Sequence, residues 1–334
     1  MSSTVLDATA LEKMISAAVA APSIHNTQPW RFRLDPQTAT VEVRAAPQRA
    51  LLMADPAGRA LHISVGAALL NLRIAIRYLG WEPVVRLLPR PTEPDLLAAV
   101  RLAGSLQEAH SQDPELFDAI WRRHSSRQPF SERPVPAALL VELTEAAQAE
   151  GTVLYLPGVT ETERLLFLTA EAERRSTTEP RRRTESRDAI HGPQNRPDSP
   201  YGIPTTALGP QDSAGHLPMR DFSAILPADF QRSVRFEPHP VIAVLATTTD
   251  KPADWLRAGQ ALERILLLLT AHGVQASLLY QAMEWHDMRW ALRDPQHGAE
   301  HAQMLIRMGY GPTGPATPRM PAAAVLEEGD GHPL

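Results

Sequence analysis

The sequence predicts an α+β fold built from two related halves, and three observations carry that expectation. First, "GAALLNLRIAIRYLG" (66–80) and "GQALERILLLLTAHG" (259–273) are apolar at matching helical positions and end on glycine after the same interval. The matched pairs are Gly66/Gly259, Ala68/Ala261, Leu69/Leu262, Leu72/Ile265, Ile76/Leu269 and Gly80/Gly273. Any two buried helices with a glycine C-cap share some of this pattern; the equal spacing of both glycines favours duplication. Second, each such helix is accompanied by short β-branched runs, "ATVEVRA" and "PVVRLLP" around the first and "PVIAVLATT" and "QMLIRMGY" around the second. Third, 334 residues at 43% apolar content suffice for one large core or two smaller ones. The halves join near residue 105.

In chain order, residues 11–21 read as an amphipathic helix, and 30–45 as a strand pair about the Asp35-Pro36 turn. Residues 61–79 form a strongly apolar helix, followed by strand-like "EPVVRLLP" and "LLAAVRLAG". A helix runs to about Arg123, another covers 137–149, and "TVLYLPG" is a strand. An Arg-rich helical segment occupies 161–189. Residues 191–221 are so rich in Pro and Gly that no regular structure is expected there, which suggests a lid, a binding loop or disorder. A strand at 240–248, a helix at 254–272 and a strand at 303–310 complete the pattern, and the Pro-rich tail after Gly311 is extended.

Composition excludes several functions. A net charge of −5 supplies no general attraction to nucleic acid or an anionic membrane. The absence of cysteine removes disulfides, thiolate metal sites, Fe–S clusters and cysteine nucleophiles, and fits a cytoplasmic protein. The N-terminus carries Asp7 and Glu12 where a signal peptide would be basic. The most apolar window, 265–274, falls well short of the ~20 residues that cross a bilayer. A soluble protein without nucleic-acid or membrane partners is expected.

Some motifs fail on context. "GYGPTG" (309–314) matches G-x-G-x-x-G, but the following "PATPRMP" cannot supply the helix a dinucleotide fold needs. "HGAEH" (297–301) matches an inverted zinc-peptidase pattern without a helix to hold both imidazoles, so no metal is expected. The arginine run at 174–187 is interleaved with glutamates and reads as a solvated face.

Two stretches hold. In "WRRHSSRQPF" (121–130), Arg123, Ser125 and Arg127 alternate, so extended geometry would turn them to one side and His124 to the other. Guanidinium forks with a hydroxyl suit a phosphate dianion; the alternative is an exposed basic turn. In "APSIHNTQPW" (21–30), Ser23, His25, Asn26, Thr27 and Gln28 crowd one loop before Trp30, more hydrogen-bonding groups than a surface turn requires.

Together these stretches resemble the nitroreductase-like FMN flavoproteins. "RHSSRQPF" is similar to their Arg-[His/Arg]-Ser-x-[Lys/Arg] phosphate box, "APSIHNTQPW" to their Ala-Pro-Ser-x-x-Asn-x-Gln-Pro-Trp segment, and "GYG…TPRMP" to their closing segment with a terminal basic residue. The likeness spans nearly the whole chain and is weakest over 150–235. Ordinary members are homodimers that carry the phosphate box first and the Pro-Trp segment about thirty residues later. Here the Pro-Trp segment stands in the first half and the box in the second, so the motifs complement each other. This order resembles the Acg-like branch, as do "DPAGRALHISVGAALLNLR" (55–73) and "YGIPTTALG" (201–209). It implies a nitroreductase-like fold in which a fused pseudo-dimer keeps one flavin site. The first half is 1–105, the second 106–315 with a lid at 191–221, and 316–334 an extended tail; the expected state is a monomer.

The resemblance also implies site roles. Arg123 and Ser125 of the box, with the distal Arg319, would hold the FMN phosphate, Arg127 would reach the pyrimidine edge, and His124 of the box is a further cofactor-binding candidate. Pro22, Ser23 and Asn26 would lie near the isoalloxazine and ribityl chain, with Gln28, Pro29 and Trp30 holding their loop. Ile24 stands where family members often carry Ser. Ser277, Leu278 and Leu279 would face the reactive edge of the ring, with Tyr280 a further candidate; no catalytic acid or base is implied, because the flavin carries the chemistry. The implied activity is electron transfer from NAD(P)H through FMN to a small-molecule acceptor, a nitroaromatic or quinone. The alternative is an FMN-binding or sequestering stress protein with a lid-covered flavin and little turnover.

Overall fold

A computed structural model describes residues 6–105, 114–191, 199–221, 232–293 and 300–327. The expected junction of the halves and part of the expected lid lie outside those residues.

The elements of the first half follow the sequence closely. Helix α1 (Ala8–Val19) is capped by Asp7, whose side chain accepts from the Ala10 amide at 2.7 Å. Strands β1 (Trp30–Asp35) and β2 (Thr40–Ala45) form the expected antiparallel pair, with Trp30 opposite Ala45. Helix α2 (Arg59–Tyr78) precedes β3 (Trp81–Leu87) and β4 (Leu96–Ser105). Then come α3 (Pro114–Arg122), α4 (Ala137–Ala149) and the short β5 (Val153–Tyr155). The Arg-rich segment is two helices, α5 (Val159–Thr178) and α6 (Pro180–Asp188). They divide at Glu179, which sits in an extended conformation before Pro180 and caps α6 through Arg182 N at 2.7 Å.

The described residues of 190–221 are mostly irregular, but contrary to expectation they include short pairings: β6 (Ile190–His191) runs parallel to β7 (Ile203–Pro204). β8 (Gln211–Asp212) likewise pairs with β9 (Ser233–Val234). Strand β10 (Val241–Thr247), helix α7 (Pro252–Ala271), strand β11 (Gln275–Leu279), helix α8 (His286–Ala291) and strand β12 (His301–Gly309) follow.

Two antiparallel-based sheets result. The first has the order β13-β1-β2-β4-β3 and the second β11-β12-β10-β5. β13 (Leu326–Glu327) pairs parallel with β1, so the end of the chain returns to the first half's sheet. Between Gly311 and Pro321 the tail has no regular structure, and a 3-10 turn at Ala322–Ala324, not expected from the sequence, precedes this return. It leans on the 125–130 segment where glycines permit: a Cβ on Gly314 would lie 2.0 Å from the Ser125 carbonyl oxygen, and one on Gly309 2.9 Å from Phe130. The glycines of "GYGPTG" therefore allow close backbone approach.

Between the sheets cross the two long helices of the internal echo. Gly66 of α2 and Gly259 of α7 meet at the crossing, where a Cβ on Gly259 would sit 2.0 Å from the Ile63 carbonyl oxygen and one on Gly66 2.3 Å from that of Leu256. Without side chains at those points the backbones touch and their flanks interdigitate. Leu69, Leu70, Leu72 and Ile76 of α2 and Ile265, Leu267 and Leu269 of α7 are wholly buried, each contributing roughly 1.5–3 kcal/mol of transfer free energy. α2 alone among the described helices is long and apolar enough to cross a membrane, yet 78% of that window is buried inside the protein. One core unites distant parts of the chain: Leu116, Phe117, Ala119 and Ile120 of α3 and Leu256 and Leu267 of α7 pack with α1, α2 and the first sheet.

Candidate functional site

The chain that leaves α1 turns at Pro22 into a loop of unusual backbone. His25, Asn26 and Gln28 all have positive φ, of 47°, 55° and 48°. Such conformations are sparsely allowed for residues other than glycine and must be held by their surroundings. The polar side chains supply that hold. Ser23 Oγ accepts from the Gln28 amide at 2.9 Å, and Ser64 Oγ of α2 from the Ile24 amide at 3.2 Å. Asn26 Nδ2 donates to the carbonyls of Gly202 and Pro318, both at 3.0 Å, and its Oδ1 accepts from Arg319 Nη1 at 3.0 Å. Gln28, fully buried, donates to Pro200 O at 2.6 Å and accepts from the Met320 amide at 2.8 Å.

This loop forms one wall of a cleft of about 1,010 Å³, partly open to solvent. α2 adds Arg59, Ile63, Ser64 and Ala67, and the opposite side is built by Arg123, His124, Ser125, Arg127, Ser277, Leu278 and Tyr280. Thr317 and Arg319 close one end and Ile203 faces in from the 199–209 segment. Of the residues expected at the site, Arg123, His124, Ser125, Arg127, Arg319, Pro22, Ser23, Asn26, Ser277 and Leu278 line this single cleft. Gln28 does not; it anchors the loop from behind. Leu279 does not either: it is buried in the apolar cluster with Met283 and Leu305.

His124 was expected to point away and instead lines the cleft. The 123–127 segment is not a regular strand, so its side chains do not alternate; only Ser125 makes a bridge, parallel, to Ala276 of β11. Ser126 holds the segment there, its amide donating to Ala276 O at 2.8 Å and its hydroxyl to Pro312 O at 2.7 Å.

One end of the cleft is strongly cationic. Arg123, only 4% exposed, and Arg319 both donate to the Ala20 carbonyl at 3.3 Å. Enclosure and the neighbouring Arg123 charge lower Arg319 to about 9. Burial, with Arg123 and Arg319 adding repulsion, keeps the His124 imidazole below its usual range and hence neutral above pH 7. The one described carboxylate paired with Arg123 is Glu263, fully buried at 3.5 Å. Two guanidiniums against one carboxylate leave an attraction for a bound anion.

The rest of the cleft is less polar, with Ile63, Ala67, Leu262, Leu278 and Met304 in its walls. His25 lines it, only 3% exposed, and neither ring nitrogen has a hydrogen-bond partner among the described residues. Burial and the charges of Arg220 and Arg127 keep this imidazole neutral. Arg127 donates to Ala207 O at 2.8 Å, and so meets the 199–209 segment directly. Arg59, which sequence reasoning did not single out, is 4% exposed and held by Gln303 at 2.8 and 2.9 Å. Its only sequence signal is an arginine opening an otherwise apolar helix.

No family model matches the chain. It is 32% identical over 334 residues to the Mycobacterium tuberculosis protein named "Putative NAD(P)H nitroreductase Rv3131", covering 96% of this chain and 92% of that one. The chain belongs to the nitroreductase family. It is also 27% identical to the M. tuberculosis nitroreductase-named protein Acg, over 98% of each chain. A nitroreductase-named crystal structure from Anabaena variabilis superposes with a TM-score of 0.50 at 10% identity, covering 91% of this chain and 88% of that one, and so supports the nitroreductase fold. Membership fits the donor set: guanidiniums at one end of the cleft, apolar walls beyond, and an unsatisfied imidazole suit a flat, phosphate-bearing cofactor.

Proposed function

We propose that the cleft binds one FMN and that the protein is an FMN-dependent oxidoreductase, taking electrons from NAD(P)H and passing them to a small acceptor such as a nitroaromatic or quinone. The observation that carries this reading is the meeting of Arg123 and Arg319 with the Asn26 loop in one cleft. In this reading Arg123, Ser125 and Arg319 bind the phosphate, with His124 beside them. Arg127 places positive charge near the pyrimidine edge, and Pro22, Ser23 and Leu278 confine the ring. Asn26 acts by orienting Arg319, and Gln28 by holding the loop. When bound, FMN supplies the hydride chemistry, and the protein contributes orientation, polarity and exclusion of water. We also propose that residues 1–105 and 106–315 derive from the two protomers of a dimer and that 316–334 crosses back; the glycine-to-glycine crossing of α2 and α7 supports this.

A second reading is favoured by the 199–209 segment. Gly202 exchanges hydrogen bonds with Asn26, Pro200 accepts from Gln28, Tyr201 OH accepts from Arg49 at 3.1 Å, and Ala207 accepts from Arg127. A cover tied down at four places leaves little access for a nicotinamide, which suits a flavin-holding protein with little turnover. Anaerobic mixing separates the two. Bleaching of the yellow protein by NADPH or NADH within seconds supports the reductase; bleaching by dithionite alone supports the flavin-holding reading. Colourless protein that ignores added FMN overturns both.

A further inference from the structure

Glu263 is the group at the cationic end whose charge opposes the ligand proposed above. It follows Leu262, which lines the cleft, and is itself fully buried on α7. Its Oε1 lies 3.5 Å from Arg123 Nε, yet that nitrogen and both carboxylate oxygens lack a hydrogen bond of good geometry among the described residues. Asn71 of α2 reaches this carboxylate closely enough to favour its ionised form, but neither of its amide atoms makes a hydrogen bond of good geometry among the described residues. A structural salt bridge at this depth is normally bidentate and fully hydrogen-bonded, because desolvation otherwise outweighs the attraction. Here the carboxylate is held by charge with few directional bonds.

We infer that Glu263 is an exchangeable counter-ion: it balances Arg123 and Arg319 when the cleft holds no anion, and takes a proton from solvent when a phosphate dianion occupies the two arginines. Two guanidiniums and an ionised carboxylate leave one positive charge in surplus. Adding a dianion would make the buried cluster net negative, and protonating Glu263 restores neutrality. The proton is nearly poised already, since burial raises the Glu263 carboxyl to about 7 against the opposing pull of Arg123, the Asn71 amide and Arg319. The charged groups facing it are Arg123 from the segment after α3 and Arg319 from the tail; His124 lies beside both and stays neutral above pH 7. Glu263 is thus a positioning residue that acts on the ligand through Arg123.

This inference rests on the FMN reading, and one calorimetric experiment tests them separately. Flavin-free protein is titrated with FMN at about pH 8 in two buffers of different ionisation enthalpy, where the free phosphate is already dianionic. The expected result is uptake of about one proton per FMN, with affinity falling up to about tenfold per pH unit above 7. Riboflavin, which lacks the phosphate, should take up none. Glu263→Gln should bind FMN with the uptake largely abolished, whereas His124→Gln should retain it. No uptake in the wild type, or equal uptake with FMN and riboflavin, overturns the inference, and that comparison stands even if Glu263→Gln does not fold. Undiminished uptake in a folded Glu263→Gln also overturns it. Failure of FMN to bind at all overturns the cofactor reading and the inference with it.

Discussion

The loop from Pro22 to Gln28 holds three left-handed residues in place through the side chains of Ser23, Asn26 and Gln28. Asn26 and Gln28 bond groups of other segments and Ser23 the Gln28 amide within the loop, whereas Thr27 Oγ1 and both His25 ring nitrogens have no hydrogen-bond partner among the described residues. Arg123→Ala should weaken FMN binding by roughly 10- to 150-fold, the worth of one charge-assisted interaction of about 1.5–3 kcal/mol. Quenching of flavin fluorescence measures this, and unchanged affinity would remove Arg123 from the site. Glu263 sets a second expectation. Its folded-state value near 7 lies above the ordinary 4.5, so the folded chain keeps a proton that the unfolded chain loses. That contribution is full below pH 4.5, declines as pH rises to 7, and is lost above it. Relative to wild type, Glu263→Gln should remove this decline of up to about 3 kcal/mol in the flavin-free protein. Urea unfolding of both at pH 5 and 8 provides the comparison.

At the scale of elements, the crossing of α2 and α7 depends on two missing side chains. Gly259→Ala places a methyl 2.0 Å from a backbone oxygen that cannot swing aside. It should cost about 3 kcal/mol or more, the upper end of overpacking, and chemical denaturation would register it. Gly80→Ala faces open space and is strained only by its φ of 93°, so it should cost less. The long helices and the first four strands were legible because their periodicity is local. α8 and β13 were not, because α8 is a six-residue helix and β13 a two-residue strand. β13 exists only because β1 offers an edge to pair with. The division of the Arg-rich helix at Glu179-Pro180 was legible in principle, from the bar that proline sets on the residue before it.

On the scale of the whole molecule, the cleft takes walls from both halves and from the returning tail, so no part of the chain carries it alone. In the proposed fused-dimer reading, the α2–α7 seam inside one chain takes the place of a subunit interface. The protein should therefore run as a monomer of 36.7 kDa by light scattering, with one FMN per chain; a stable dimer would contradict that expectation. Replacing Tyr201–Gly209 with a short flexible linker should raise the rate of flavin reduction by NADPH if this segment blocks the nicotinamide. An unchanged rate would show that the segment is no barrier.

Residue types and their spacing determined by themselves the α+β class, the two equivalent helices, and the two stretches that would meet an FMN. These are local properties, written in periodicity and in side-chain chemistry. Only the tertiary structure decided that His124 faces the cleft, that Leu279 and Gln28 do not, and that Glu263 lies behind the arginines. Each depends on where one segment settles against another distant in sequence, and a carboxylate on a buried helix face carries no local mark of the guanidinium it will meet.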